Sequence, residues 1–210
     1  MKSEHIPKAT IARLAVYIQA LEILARSGEE IVSSDKLALA CAGNPSQIRK
    51  DLAYFGEFGV RGVGYYVKAL SDSIKKSLGI DRVWNCAVIG VGDLGRALLK
   101  HQSFREKGFA IRAAFDCDPD KIGRTVHGMD ILCPTQLKEA VAQLHIEIGM
   151  ITTPPDRAQR AANHLVEAGI KGILNYAPAC ISAPAHVQVE YVDFFHHLYA
   201  LAFHIGMTRG

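Results

Sequence analysis

The sequence predicts an α/β protein in two parts: a helical N-terminal region with a β-hairpin, and a C-terminal region on a mainly parallel sheet. Three observations carry this. Apolar residues recur at helical spacing up to about residue 80, and from Arg82 onward strand and helix patterns alternate. Four glycines among aromatic and β-branched residues at positions 56–67 read as a glycine-bent hairpin. Gly90-Val91-Gly92-Asp93-Leu94-Gly95 joins an apolar strand to a helix. Alternating β and α implies helices on both faces of a parallel sheet, the doubly wound arrangement.

Taken in order, Ile11, Leu14, Ile18 and Leu21 mark one face of a first helix that Thr10 can cap and Gly28 can end. Ser33-Ser34-Asp35 starts a short helix carrying Leu37, Ala40 and Cys41. Ala42-Gly43-Asn44 is a tight turn, and Pro45 suits the first position of a third helix running to about Phe55. Helix, short turn, helix is the helix-turn-helix arrangement, and a hairpin after it would be its wing. A helix at 69–78, closed by Gly79, leads to a boundary near Asp81. Strands then fall at 86–89, 109–115, 131–132, 146–151, 172–174 and 187–192, and helices at 94–104, 136–144 and 157–168. An apolar, aromatic helix closes the chain with no obvious sheet left to pack on. The expected division is residues 1–80, 81–190 and 191–210.

The chain has 210 residues, 49% hydrophobic and 21% charged, which is ordinary globular composition. No apolar stretch approaches the ~20 residues of a membrane helix. Residues 1–7 lack the apolar core of a signal peptide, so a cytoplasmic protein is expected. Residues 1–80 hold 11 Lys and Arg against 8 Asp and Glu, and residues 81–210 hold 13 of each. The whole excess of +3 therefore lies in the first part, a hint of an anionic partner. Cys41, Cys86, Cys117, Cys133 and Cys180 are scattered with no C-x-x-C pair, which suggests reduced, mostly buried thiols.

The G-x-G-x-x-G turn has the dinucleotide-binding pattern. Gly90 permits the tight turn, Gly92 lets backbone approach a pyrophosphate, and Gly95 lets helix and strand pack closely. Val91, Asp93 and Leu94 supply the remaining backbone of the loop, and the helix N-terminus favours anions. Asp116 ends the second strand, 21 residues past Gly95, about where a carboxylate receives the adenosine ribose hydroxyls. It would repel a 2′-phosphate, which favours NADH and NAD⁺ over their phosphorylated forms.

On the third helix Ile48, Leu52 and Phe55 form the buried face, while Ser46, Lys50, Ala53 and Tyr54 point away, flanked by Gln47 and Arg49. Arg or Lys can grip guanine, Gln adenine, and Ser a phosphate. The same residues would also serve as the solvated face of an ordinary helix. The following wing, with Arg61 at its tip beside Gly62 and with Tyr65, tips the reading toward double-stranded DNA. His196, His197 and His204 lack nearby Cys, Asp or Glu at ligand spacing, so no metal site is expected. No nucleophile motif appears, and an enzyme is not expected.

These features in this order, together with residues 47–59, 61–65 and 168–178, closely resemble the Rex family of redox-sensing transcriptional repressors over essentially the whole chain. The resemblance implies a homodimer that binds a palindromic operator when NADH is scarce and leaves it when NADH binds. It also implies a C-terminal helix exchanged between subunits, with Phe194 near the partner's nicotinamide site. The Thr152-Thr153-Pro154-Pro155 turn matches a family loop beside the cofactor. A family relay of arginine, tyrosine and aspartate aligns with Gln19, His101 and Asp193, of which only the aspartate is kept. Two rivals are an NAD-dependent dehydrogenase, for which no substrate domain remains, and a CoA-binding module, against which Asp116 argues.

Overall fold

The computed structural model describes residues 6–56, 58–60, 62–101 and 103–207. The backbone divides into two compact units, Met1–Arg82 and Val83–Gly210.

In the first unit, α1 (Lys8–Arg26) buries Leu14, Tyr17, Ile18, Leu21 and Leu24. The buried stripe is rotated toward Tyr17 and Leu24, which leaves Ile11 at its edge and 44% exposed. Thr10 does not cap this helix. The Pro7 carbonyl accepts the Thr10 and Ile11 amides, and the Thr10 side chain turns inward instead. Gly28 follows the helix with φ +82°, the left-handed position that glycine adopts without penalty. The short helix α2 (Ser34–Ala40) is capped by Ser33, whose hydroxyl accepts the Lys36 amide, and buries Leu37 and Ala38 rather than Ala40. Asn44 caps α3 (Pro45–Ala53) by accepting the Ser46 and Gln47 amides.

The hairpin pairs β2 (Gly59–Val60) with β3 (Gly64–Tyr66), and β3 also pairs antiparallel with β1 (Ile31–Val32). A two-residue strand is too short to show alternation in the sequence, and its position is betrayed only by Gly64. That residue has φ +114°, and a Cβ there would sit 2.6 Å from the Val32 carbonyl oxygen. The following helix α4 (Val67–Ser77) starts two residues earlier than the sequence pattern indicates. Leu70 and Ile74 close the core over Leu14, Leu21 and Ile48.

In the second unit seven strands line up as β10-β9-β8-β4-β5-β7-β6. They are β4 (Trp84–Ile89), β5 (Phe109–Phe115), β6 (Thr125–Val126), β7 (Met129–Leu132), β8 (Ile148–Ile151), β9 (Gly172–Asn175) and β10 (Gln188–Tyr191). All pair in parallel except β6, a short antiparallel edge strand that the sequence reading lacked. The chain leaves β4 toward β5 and β7, then returns to β8 on β4's other side, which places a topological switch point between β4 and β8. Ala87 and Ile89 pack under α7 (Leu137–Leu144) and α8 (Pro155–Glu167), while Cys86 and Val88 face Leu98 and Leu99 of α5 (Asp93–Lys100). This two-sided cover is the doubly wound arrangement. α5 ends at Lys100, where His101 turns extended, and a separate short helix α6 (Ser103–Glu106) follows.

The last helix, α9 (Phe194–Met207), buries nothing against its own chain. Phe194, Phe203 and Met207 are 61%, 63% and 70% exposed. Among the cysteines only Cys86 is buried. Cys117 and Cys180 are exposed, contrary to the expectation of mostly buried thiols, because both lie beyond strand ends rather than within the sheet.

Replacing Gly64 with Ala is expected to destabilise the N-terminal unit by roughly 2 kcal/mol or more, through both positive φ and collision with Val32. Gly62→Ala meets only the backbone penalty, because nothing lies within 4 Å, and is expected to cost about 1 kcal/mol. Urea denaturation of the two variants checks the order.

Candidate functional site

The glycine-rich turn sits at the carboxyl end of β4, on the switch point. Gly90 has φ +98°, and a Cβ there would press on the Thr152 backbone and the Thr153 methyl, each at 3.0 Å. A Cβ on Gly95 would run into the Gly90 carbonyl oxygen. Around Gly92, by contrast, no atom lies within 4 Å of the would-be Cβ. Two glycines are thus demanded by packing, and the middle one keeps a space open in front of the α5 N-terminus. Asp93 and Leu94 form the first turn of α5, and Val91 is buried.

Thr152 ties the two sides of the switch point together. Its amide donates to the Ile89 carbonyl, and its hydroxyl donates to the Gly90 carbonyl at 2.6 Å. Thr153 differs: its Oγ1 is buried and has no hydrogen-bond partner. A buried hydroxyl without a partner costs free energy unless something polar meets it. An open space before a helix N-terminus, with an orphaned hydroxyl on the adjoining turn, fits a phosphate-bearing nucleotide.

Asp116 follows β5 and is 7% exposed. Its Oδ2 accepts the Val91 amide at 2.7 Å and the Lys121 ammonium at 3.1 Å, and its Oδ1 accepts the Asp118 amide at 3.0 Å. Burial alone would raise its pKa, but these donors together hold it below the usual carboxylate value. Asp116 therefore braces the glycine-rich turn from the side, and Lys121 offsets its charge. Lys121 was not legible as part of the site, since it lies five positions after Asp116 across a turn of no regular period. Pro154 is exposed just before α8. Phe194 follows edge strand β10, which lies three strands from β4, so roughly 14 Å separates those two strands.

In the N-terminal unit, Ser46, Arg49 and Lys50 are exposed on α3, and Tyr54 at its end is 46% exposed. Arg49 is held along the α2–α3 face, donating to Ser34 Oγ at 2.6 Å and to Ser46 Oγ at 3.2 Å. Lys50 has no protein partner among the described residues. Gly62 is exposed in the wing, and Arg61 lies outside the described residues. Tyr65 is half-buried against the core, which pushes its hydroxyl pKa up.

A residue that the sequence reading passed over organises this surface. Asp51 is fully buried on α3 between Ile48 and Leu52. Its carboxylate accepts from Arg13 Nε at 2.6 Å, Arg13 Nη2 at 2.7 Å, Tyr17 at 2.8 Å, Gln47 Nε2 at 3.0 Å and Thr10 at 3.1 Å. Burial would raise its pKa, but the donors overcome it and bring the value down to about 2. The available signal was an acid inside an apolar stripe, with Thr10, Arg13 and Tyr17 on one face of α1 to meet it.

The relay positions are each described within their own unit. Gln19 is exposed on α1. His101 Nδ1 pairs with Ser103 Oγ at 2.8 Å, and Asp193 accepts the Phe195 amide at 2.9 Å. Within the second unit His101 and Asp193 are thus each engaged locally rather than with one another. Among the described residues, no group of three His, Cys, Asp or Glu is placed to hold a metal ion, and no helix is long and apolar enough to cross a membrane.

Comparison with known proteins agrees with this layout. Residues 5–53 match the family described as putative DNA-binding protein N-terminus, and residues 81–179 match the CoA binding domain family. The redox-sensing transcriptional repressor Rex of Solidesulfovibrio magneticus is 64% identical over 209 residues, covering 100% of this chain and 95% of its own. The chain belongs to the Rex family of redox-sensing transcriptional repressors. The Rex repressor of Maridesulfovibrio salexigens is 66% identical, over 98% of this chain and 99% of its own. Among solved structures, RSP in complex with beta-NAD+ and operator DNA superimposes with a TM-score of 0.91 at 33% identity, covering 99% of this chain and 95% of that one. RSP with beta-NADH gives 0.88 at 32% identity, with 97% and 96% covered. The relatives matched over the full chain, residues 81–179 included, are named repressors and not enzymes.

The buried carboxylate makes stability pH-dependent with a definite sign. Between about pH 4 and pH 2 the unfolded chain protonates Asp51 while the folded chain does not, so stability falls with pH across that window, by on the order of 2 kcal/mol. Asp51→Asn is expected to flatten that acid dependence and to lower stability at pH 7 by about 2 kcal/mol. Denaturant titrations at pH 7, 4 and 3 measure both effects.

Proposed function

We propose that this chain is a cytoplasmic, NADH-responsive repressor that binds palindromic operator DNA as a homodimer and leaves it when NADH occupies the Gly90–Gly95 turn. One observation carries the reading above the others. A three-glycine turn, whose middle glycine alone faces open space, shares a chain with a capped helix that presents Lys50, Arg49 and Ser46 to solvent. The RSP complexes with NADH, and with NAD⁺ and operator DNA, support both halves.

The backbone of residues 90–95 would hold the pyrophosphate, and the Thr152-Thr153-Pro154 turn would adjoin it, with Thr153 Oγ1 gaining the partner it lacks. Asp116 would offer its remaining acceptor capacity on Oδ1 to the adenosine ribose while bracing Val91. Ser46, Gln47, Arg49, Lys50 and Tyr54 would face the operator, with Arg61, Gly62 and Tyr65 of the wing beside it. A predominantly apolar helix belongs in an interior, and α9 buries no residue against its own chain. Exchange of α9 between two copies would bury it and bring Phe194 to the partner's nicotinamide site. Gln19, His101 and Asp193 would lie on the route between cofactor and DNA.

NADH and NAD⁺ share the groups that the turn and Asp116 contact, so these cannot tell them apart. Discrimination must arise at the nicotinamide, where only the oxidised ring is cationic and loses more on entering a dry apolar wall. Moving the equilibrium from 1:99 to 99:1 takes about 5.5 kcal/mol of differential binding.

Mobility-shift titration of an operator complex is expected to show release by NADH and none by NAD⁺. Gly92→Ala introduces a methyl into open space at an ordinary φ, so it is expected to melt as the wild type does while losing NADH response at least ten-fold. A Gly92→Ala variant that releases DNA normally would overturn the placement of the pyrophosphate. Phe194→Ala is expected to weaken NADH far more than NAD⁺ by calorimetry, and an equal loss of both would move the discriminator to polar contacts.

A further inference from the structure

Gln47 is the third residue of α3, and its side chain reaches one turn along the helix to Asp51, Nε2 to Oδ1 at 3.0 Å. Asp51 is fully buried, and Arg13, Tyr17 and Thr10 also donate to its two oxygens. An ionised carboxylate can only accept, so the Gln47 amide must offer it nitrogen, and the carbonyl oxygen is left on the other arm of the planar group. No described residue donates to that oxygen. We infer that Asp51 locks the Gln47 amide in one orientation and so makes Gln47 a specificity-determining residue that selects an adenine in each operator half-site and rejects guanine.

The chemistry follows from the groove edges. Adenine shows an N6 amine donor beside the N7 acceptor, and a Gln amide matches it when its oxygen meets N6 and its spare N–H meets N7. Guanine shows only acceptors, O6 and N7, so an outward Oε1 meets O6 with repulsion. A free Gln can rotate its amide by half a turn to present N–H instead, whereas one anchored on Asp51 cannot without leaving the carboxylate short of a donor. Asp51 never touches DNA in this scheme. It is a positioning residue acting through Gln47.

The inference rests on α3 being the base-reading helix, and the experiment separates the two. Full-length wild type, Gln47→Ala, Gln47→Glu and Asp51→Asn are each used to select from a randomised duplex library. Wild type is expected to enrich adenine at one position per half-site, and Gln47→Ala to lose roughly ten-fold discrimination there and nowhere else. Gln47→Glu, which only accepts, is expected to shift that position toward cytosine, whose N4 amine is a donor. Asp51→Asn, which can accept or donate, is expected to admit guanine at the same position. If circular dichroism shows Asp51→Asn unfolded, the wild-type selection decides the lock: a locked amide excludes guanine at the position that Gln47→Ala relaxes, and a free one admits it. Unchanged preferences in Gln47→Ala, guanine at the Gln47-dependent position in wild type, or adenine kept undiluted in folded Asp51→Asn each overturn the inference. A wild type that enriches no sequence overturns the assignment of α3 itself.

Discussion

A carboxylate sealed from water must be surrounded by donors, and Asp51 places that requirement on the whole N-terminal unit. Thr10, Arg13 and Tyr17 from α1 and Gln47 from α3 converge on it. Breaking one member of such a cluster leaves a buried charge short of partners, so α1 and α3 hold a fixed relation. The apolar contacts of Leu14, Ile48 and Leu52 supply the burial, and the carboxylate supplies the register. Fixing α3 against α1 in this way also fixes every side chain on its outer face, because an error of an ångström at its base would misplace them all.

The nucleotide unit meets a comparable demand with backbone rather than charge. β4 and β8 must approach closely at the switch point, so Gly90 and Gly95 are excluded from carrying side chains, and Thr152 clamps the turn with two carbonyl contacts. Asp116 completes the frame by accepting the Val91 amide. What remains free is the space at Gly92 and the hydroxyl of Thr153, and both lie where a ligand would enter. Among the described residues, the buried side-chain polar atom without a hydrogen-bond partner is Thr153 Oγ1, which lies on this turn.

α9 shows a third constraint. Its Phe194, Phe195, Leu198, Tyr199, Leu201, Phe203 and Ile205 are all exposed on the chain. Apolar surface on that scale marks an interaction face rather than a solvated one. The sheet it follows is already covered on both sides, by α7 and α8 on one face and by α5 on the other, so nothing in its own unit is left to receive it.

Much of this was legible in the residues. Periodicity located α1, α3 and α8, and the strand at Phe109–Phe115, because each is long enough to show its repeat. The G-x-G-x-x-G spacing located the glycine-rich turn, because packing at Gly90 and Gly95 tolerates no other residue. Pairings between distant segments were not legible. Strands β1 and β6 have two residues each and acquire their identity only from partners across a turn or a helix. The inward turn of Thr10 and the burial of Asp51 depend on α1 and α3 meeting, and the Lys121 contact to Asp116 depends on how the loop after β5 folds back. By itself the sequence determined the order of the longer elements and the glycine-rich turn between β4 and α5, since both follow from local spacing and local sterics. Only the tertiary structure decided which charged groups are buried and paired, because a residue's solvation is set by what packs over it.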